Sequence, residues 1–284
     1  MKLSVKKESK LLEYLYENLD MPKKRIKQYL THGSIFVNNN KITQYNYKIL
    51  PGMNIIIDTA NKNTKELPFD IIFEDDHIIV VNKPSGLLTI ATNKEKEKTL
   101  YHIVREYLVR KNKNARVFIV HRLDKDTSGI VILAKDEKTK NKLQEDWNKT
   151  VKLREYTAII HGTLDKNEGK IIQRLKETKT GLVYSTKSEE GKEAITNYKV
   201  IKETTKYSMV SIKIETGRKN QIRVAFNTIK HPIVGDKKYN EKDKENRLYL
   251  HANRLKIYYP EIKKDILFET AIPNEFKKIM NKGD

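Results

Sequence analysis

Val117-Phe118-Ile119-Val120-His121-Arg122-Leu123-Asp124-Lys125-Asp126-Thr127-Ser128-Gly129-Ile130-Val131-Ile132-Leu133 is the densest polar string in an apolar setting anywhere in the sequence. Residues 117–120 and 130–133 are short apolar runs rich in β-branched side chains, so they read as two buried strands meeting at a charged turn. A turn of that kind needs only small or polar residues. Asp126, Thr127 and Ser128 are read as shaping its backbone, with Gly129 closing it. His121, Arg122 and Asp124 exceed what folding requires, and chemistry is the simplest reason for them.

Outward from this string the pattern is α+β. Ile71-Ile72-Phe73 and Ile78-Ile79-Val80-Val81, split by Glu74-Asp75-Asp76, have the form of a hairpin that ends at Asn82-Lys83-Pro84-Ser85-Gly86. Helical spacing appears over Leu100 to Leu108, Lys138 to Trp147 and Gln221 to Ile229, and most segments between them look like strands. The expectation is a mixed, largely antiparallel central sheet flanked by a few helices, not a repeating βαβ pattern. There is no internal repeat and no glycine-rich phosphate loop.

The first 60 residues read as a separate small domain. Leu11, Leu12, Leu15 and Tyr16 recur at helical spacing, and a second helix is expected to carry the basic cluster Lys23, Lys24, Arg25 and Lys27. His32-Gly33-Ser34 is a turn signal, Ile35-Phe36-Val37 a strand entering a turn at Asn38-Asn39-Asn40, and Leu50-Pro51-Gly52 precedes a closing strand from Asn54 to Ile57. Residues 61–66, within a polar, aperiodic stretch, are the expected linker, and residues 67–284 the larger domain. The order of the first part resembles the alpha-L RNA-binding domain named for a small-subunit ribosomal protein. That likeness implies RNA contacts for Lys24, Arg25 and Lys27. A helical hairpin with a solvated basic face is the alternative.

Composition narrows the function classes. Fifty-seven lysines and arginines against 37 aspartates and glutamates give a formal charge of +20, which favours a polyanionic partner. With no cysteine, disulfides, thiolate metal sites and a cysteine nucleophile are excluded. The longest apolar stretch, Gly129 to Ala134, cannot span a bilayer, and Met1 to Lys10 leads into no signal-type run, so a cytoplasmic protein is expected. His121, His161, His231 and His251 lack the spacing of metal ligands, and no metal or cofactor is expected.

His121-Arg122-Leu123-Asp124 also resembles the signature of the large-subunit (Rlu) type of pseudouridine synthases, whose aspartate is the essential catalyst. Asn82-Lys83-Pro84-Ser85-Gly86-Leu87 is similar to that family's Asn-Lys-Pro-x-Gly-Leu segment. Tyr156, in Arg154-Glu155-Tyr156-Thr157-Ala158, falls in its second motif, where Arg154 replaces the usual lysine. Thr216-Gly217-Arg218 with Gln221-Ile222-Arg223 resembles its third, and His231-Pro232-Ile233-Val234-Gly235-Asp236 with Tyr239 the segment after it. Between Arg218 and Gln221 the family has threonine and histidine where this chain has Lys219 and Asn220, and Ala225 replaces a common histidine. Those departures read as RNA contacts or packing, bearing on substrate choice.

The resemblance implies conversion of a uridine to its C-glycosyl isomer: the bond from N1 to the ribose breaks, the base turns, and C5 takes N1's place. It makes Asp124 the catalyst, as a nucleophile at sugar or base or as the base that removes a sugar proton. Arg223 would pair with Asp124 and hold it ionised. Arg122 would fill the gap left by the flipped base. Tyr156 would stack on the uracil and take the C5 proton, and Ile222 would pack against the base. Arg218 and His121 complete the expected RNA-contacting set. Structured RNA is the implied partner, ribosomal RNA favoured over transfer RNA, with a monomeric protein. Two rivals stay open: an RNA-binding or ribosome-assembly factor that has lost activity, and a hydrolase using Asp124 with His121 as base.

Overall fold

The computed structural model describes residues 2–57 and 67–283, apart from 32, 39, 93, 94 and 146. The expected linker, 61–66, lies outside the described residues, as do His32 and Asn39 of the two expected turns. The chain divides into two compact units, Met1–Leu67 and Pro68–Asp284.

The first unit contains β1 (Lys2–Ser4), β2 (Ser9–Lys10), α1 (Leu11–Asn18), α2 (Lys23–Thr31), β3 (Ile35–Val37), β4 (Asn40–Lys41), β5 (Lys48–Ile49) and β6 (Asn54–Ile57). Strands β1, β6, β3 and β4 form one antiparallel sheet, and β2 pairs with β5. Leu11 and Leu15 of α1 and Ile26 and Leu30 of α2, each pair one helical turn apart, pack on Ile35, Val37, Ile55 and Ile57. Because that core takes one face of α2, the other face, with Lys23, Lys24, Arg25 and Lys27, is left in solvent.

The second unit runs β7 (Ile71–Glu74), β8 (Ile78–Lys83), α3 (Leu100–Lys111), β9 (Phe118–Ile119), β10 (Ser128–Ala134), α4 (Glu137–Gln144), α5 (Trp147–Thr150), β11 (Val151–His161), β12 (Glu168–Glu177), β13 (Val183–Thr186), β14 (Lys192–Glu203), β15 (Tyr207–Ile214), α6 (Gln221–Thr228), β16 (Leu250–Tyr259), β17 (Lys264–Glu269) and α7 (Asn274–Asn281). The sheet order is β13-β12-β14-β15-β11-β16-β10-β8-β7, with β17 on β16 and β9 on β10. All strand pairings in it are antiparallel except β10 with β16. The protein is therefore α+β with a mixed, mostly antiparallel sheet, as its sequence pattern predicts.

Alternation along β8 and β10 decides which core each side chain enters. Ile78, Val80, Ile130, Ile132 and Ala134 enter one core, while Ile79, Val81, Val131 and Leu133 enter another beneath Leu100, Val104 and Leu108 of α3. With both faces covered, these strands read as continuous apolar runs. The start of α3 is fixed by Thr99, whose side chain accepts from the His102 N–H. The helix expected over Lys138 to Trp147 is two helices, α4 and α5. Helix α7 has no counterpart in the sequence reading; its Phe276, Ile279 and Met280 cover Ile159, Val234 and Tyr249.

Candidate active site

Gly129 is where the sheet and the charged loop meet. Its φ of 119° lies in the region open to glycine, and a Cβ there would sit 2.2 Å from the Ala252 carbonyl oxygen, so only glycine lets β10 run this close to β16. Gly129 pairs with Ala252 in parallel register, and Ala252 pairs on its other side with Tyr156 of β11. Three strands thus bring Tyr156 and residues 120–127 to the same end of the sheet. The N-terminus of α6 closes the remaining side.

These elements enclose a cavity of about 710 Å³, within the range of sites that hold a small organic group. Asp124, Tyr156, Arg223, Arg122, Ile222, Arg218 and His121 all line it. Arg154 and Lys219 add to its basic wall, and Asp124 is the sole carboxylate among the described lining residues. Lys24, Arg25 and Lys27 belong to the first unit, on the exposed face of α2.

The loop bearing Asp124 is held by its backbone. The Leu123 carbonyl accepts from Thr89 Oγ1 at 2.8 Å, the Asp126 carbonyl from Ser85 Oγ at 2.6 Å, and the Lys125 carbonyl from both the Gly86 N–H and Lys83 Nζ. The segment from Lys83 to Thr89 is thus a bracket for the loop. Asp124 itself is half-buried. Asn220, with its amide turned to suit its neighbours, donates to Asp124 Oδ2 at 2.7 Å.

Arg223 corrects the expected pairing. Its Nε and Nη2 donate to Asp236 Oδ2 and Oδ1 at 2.8 and 2.6 Å. Asp236 is 1% exposed, and a carboxylate so buried requires a charged partner in contact. Burial alone would lower the guanidinium's affinity for its proton, but the Asp236 bond outweighs that and holds its pKa above the ordinary value, with Asp124 adding a smaller, longer-range attraction. Arg223 therefore bears on Asp124 as a nearby fixed charge.

His121 is also committed. Its Nε2 accepts the Ile132 N–H at 3.1 Å and its ring lies against Trp147, 5.1 Å between centroids. Burial, with help from Arg154, lowers its pKa to about 4. A neutral imidazole whose lone pair already holds a strand is poorly suited to act as a hydrolase base. Tyr156 is pushed up to about 12, mainly by burial, so its hydroxyl is neutral at physiological pH. Arg154 Nη2 donates to the Glu215 carbonyl at 2.7 Å, and Arg218 Nε to the Glu193 carbonyl at 3.0 Å. Arg122 is exposed and makes no hydrogen bond or ion pair with the described residues.

Sequence reasoning read Asn220 as an RNA contact or packing, quoted Asp236 within a motif without a role, missed Thr89 and gave Lys83 no role. For Lys83 a signal existed, a lysine directly before Pro84 at the end of an apolar run.

Comparison with known proteins gives the same direction. The family model described as RNA pseudouridylate synthase matches residues 77–228. An uncharacterized RNA pseudouridine synthase of Mycoplasma pneumoniae is 29% identical, over 96% of this chain and 92% of its own length. The ribosomal large subunit pseudouridine synthase D of Buchnera aphidicola is 31% identical, over 90% of this chain and 88% of its own. Among solved structures, human RNA pseudouridylate synthase domain containing 4 superposes with a TM-score of 0.62 at 22% identity, over 75% of this chain and 92% of that one, a likeness of fold.

Proposed function

The chain belongs to the RNA pseudouridylate synthase family, enzymes that isomerise uridine to pseudouridine, and we propose that it acts on uridines of large-subunit ribosomal RNA through Asp124, Tyr156 and Arg223. The observation that carries the reading of the site is a cavity lined by one carboxylate, Asp124, together with arginines and a tyrosine. The relative named for the ribosomal large subunit, similar over 90% of this chain, supports the choice of RNA.

A stacked uracil must leave its helix to be reached, at a cost of about a few kcal/mol. Arg122, exposed and unpaired among the described residues, supplies a flat guanidinium for the space the base vacates. The ring of Tyr156 and the side chain of Ile222 hold the extruded base by contact. Ionised Asp124 then drives cleavage of the N1–C1′ bond, whether it attacks sugar or base or removes a sugar proton. After the base turns and C5 bonds to C1′, the C5 proton must leave. Because Tyr156 is neutral, it can take that proton only as it passes its own on, so its role is a relay. Lys24, Arg25 and Lys27 on α2 add sequence-independent attraction for the phosphate backbone. We take the protein to act as a monomer.

The test is to incubate the protein with total RNA from a strain deleted for its gene and to map pseudouridine by carbodiimide chemistry. New sites in large-subunit ribosomal RNA are expected. Sites confined to transfer RNA would overturn the choice of substrate, and release of free uracil would overturn the isomerase reading.

A further inference from the structure

We propose that Asn220 is a positioning residue for the reaction, its side-chain amide aiming the Asp124 carboxylate at the substrate and tying it to Lys238 and Tyr239. The inference rests on the reading of Asp124 as the catalytic carboxylate.

Asn220 stands at the N-cap of α6, where an asparagine side chain ordinarily accepts a first-turn N–H. Here it makes no such bond. Its backbone is left-handed, φ 53° and ψ 19°, and the residue is only 6% exposed. Asparagine bears that conformation at less cost than most residues, but a buried, left-handed residue that does not cap its helix calls for another reason to be there.

Its contacts supply one. The amide nitrogen donates to Asp124 Oδ2 at 2.7 Å, while the amide oxygen accepts from Lys238 Nζ at 3.1 Å and from the Tyr239 hydroxyl at 3.0 Å. Only a side chain with a donor on one edge and an acceptor on the other can make all three. Among the described residues, this is the one hydrogen bond to the Asp124 carboxylate. Oδ2 is thereby fixed and Oδ1 left uncovered, which is what a reacting carboxylate needs: a set direction without donors on both oxygens weakening it. The preceding turn is itself secured, since Gln221 Oε1 accepts from Thr216 Oγ1 and from the Arg218 N–H. The departure at position 220 is thus a contact to the catalytic group, where the sequence pattern suggested RNA or packing.

The test compares full-length N220G, N220D and D124N with the wild type in single-turnover rate on a uridine-containing RNA substrate and in RNA affinity. Glycine keeps the left-handed backbone relaxed and removes only the amide. N220G should lose about 10- to 100-fold in rate with RNA affinity within about threefold, a loss confined to the chemical step. N220D has the same shape, but it places a second carboxylate against Asp124, and two such groups must share a proton. Its rate should rise to a plateau at a pH at least about one unit above that of the wild type. Lys83, Tyr156, Arg223 and Lys238 also feel the charge of Asp124. They are common to both proteins, so the difference between the profiles reports position 220. An inactive D124N beside wild-type rate in N220G, or an unshifted profile in N220D, would overturn the positioning role alone. Turnover retained in D124N would remove the reading beneath it and the proposal together.

Discussion

The ammonium of Lys83 donates to the backbone carbonyl of Lys125, one residue past Asp124, at 3.0 Å and from a fully buried position. It also donates to the carbonyls of Pro84 and Leu87, at 3.0 and 2.8 Å. Three donors thus meet three acceptors, and among the described residues no carboxylate is in contact to offset the charge. Burial consequently lowers this lysine's pKa to about 7, against the opposing pull of Asp126 and Asp124.

Lys83→Met, similar in length but unable to donate, should leave the Pro84 and Leu87 carbonyls short of a partner at a cost of roughly 1–3 kcal/mol each where no water enters, while the Lys125 carbonyl keeps the Gly86 N–H. The pH dependence identifies the charge. A group whose folded pKa lies near 7 and whose unfolded pKa is the ordinary 10.5 binds fewer protons folded than unfolded between those values, so its contribution to stability rises with pH across that window and is flat below it. The stability of the wild type minus that of Lys83→Met, from urea melts at pH 6 to 9.5, should therefore increase with pH. A difference independent of pH would mean that Lys83 keeps the same charge folded and unfolded, and that its burial leaves its proton affinity untouched.

Arg223 and Asp236 form a buried pair, 5% and 1% exposed. Removing one partner from such a pair costs about 3–5 kcal/mol because the other stays buried and charged. Asp236→Asn should lower the unfolding free energy by that order. It should also lower turnover, since Arg223 is then free to swing onto Asp124 and cover the oxygen that must react. An Asp236→Asn protein with unchanged stability and rate would show that the pair matters to neither.

How much of this is legible in the sequence follows from what each element depends on. The strands flanking residues 121–127 can be read because their apolar runs are set by burial on both faces, and α2 because its apolar and basic residues separate at helical spacing. His121 is not surplus to folding, as its place in the charged turn suggests: its Nε2 holds the Ile132 N–H, a bond between residues whose approach depends on the register of β9 and β10. Asp236 as the partner of Arg223, and Asn220 as the partner of Asp124, depend on loop backbone and on one left-handed residue, and no periodicity encodes either. Helix α7, by contrast, is open to a reading by period, since Phe276, Ile279 and Met280 fall at helical spacing over eight residues, the length that suffices for α1 and α6; its pattern is present and was passed over.

Tyr156 gives a prediction about the alkaline side. With its hydroxyl pushed up to about 12 by burial, loss of its proton cannot limit the rate anywhere near neutrality. Tyr156→Phe keeps the stacking face and removes the relay. Release of tritium from RNA labelled at uridine C5 should fall by on the order of 100-fold or more, with RNA affinity held within a few-fold. A phenylalanine variant that releases tritium at close to the wild-type rate would assign proton removal to another group.

The basic face of α2 is tested by salt. Lys24, Arg25 and Lys27 are exposed, while Ile26 and Leu30 on the opposite face hold the core. The triple change Lys24→Gln, Arg25→Gln, Lys27→Gln should therefore leave the unfolding midpoint nearly unchanged. Each phosphate neutralised on duplex RNA releases a counterion, so the slope of log affinity against log salt is expected to fall by up to about 0.9 for every phosphate no longer neutralised, somewhat less on single strands. With all three cations replaced, that slope should flatten by roughly 2 to 3. The rate from the bound complex should hold, because the proposed chemistry is that of Asp124 and its neighbours in the second unit. Equal slopes in the variant and the wild type would make these residues a solvated surface with no part in holding RNA.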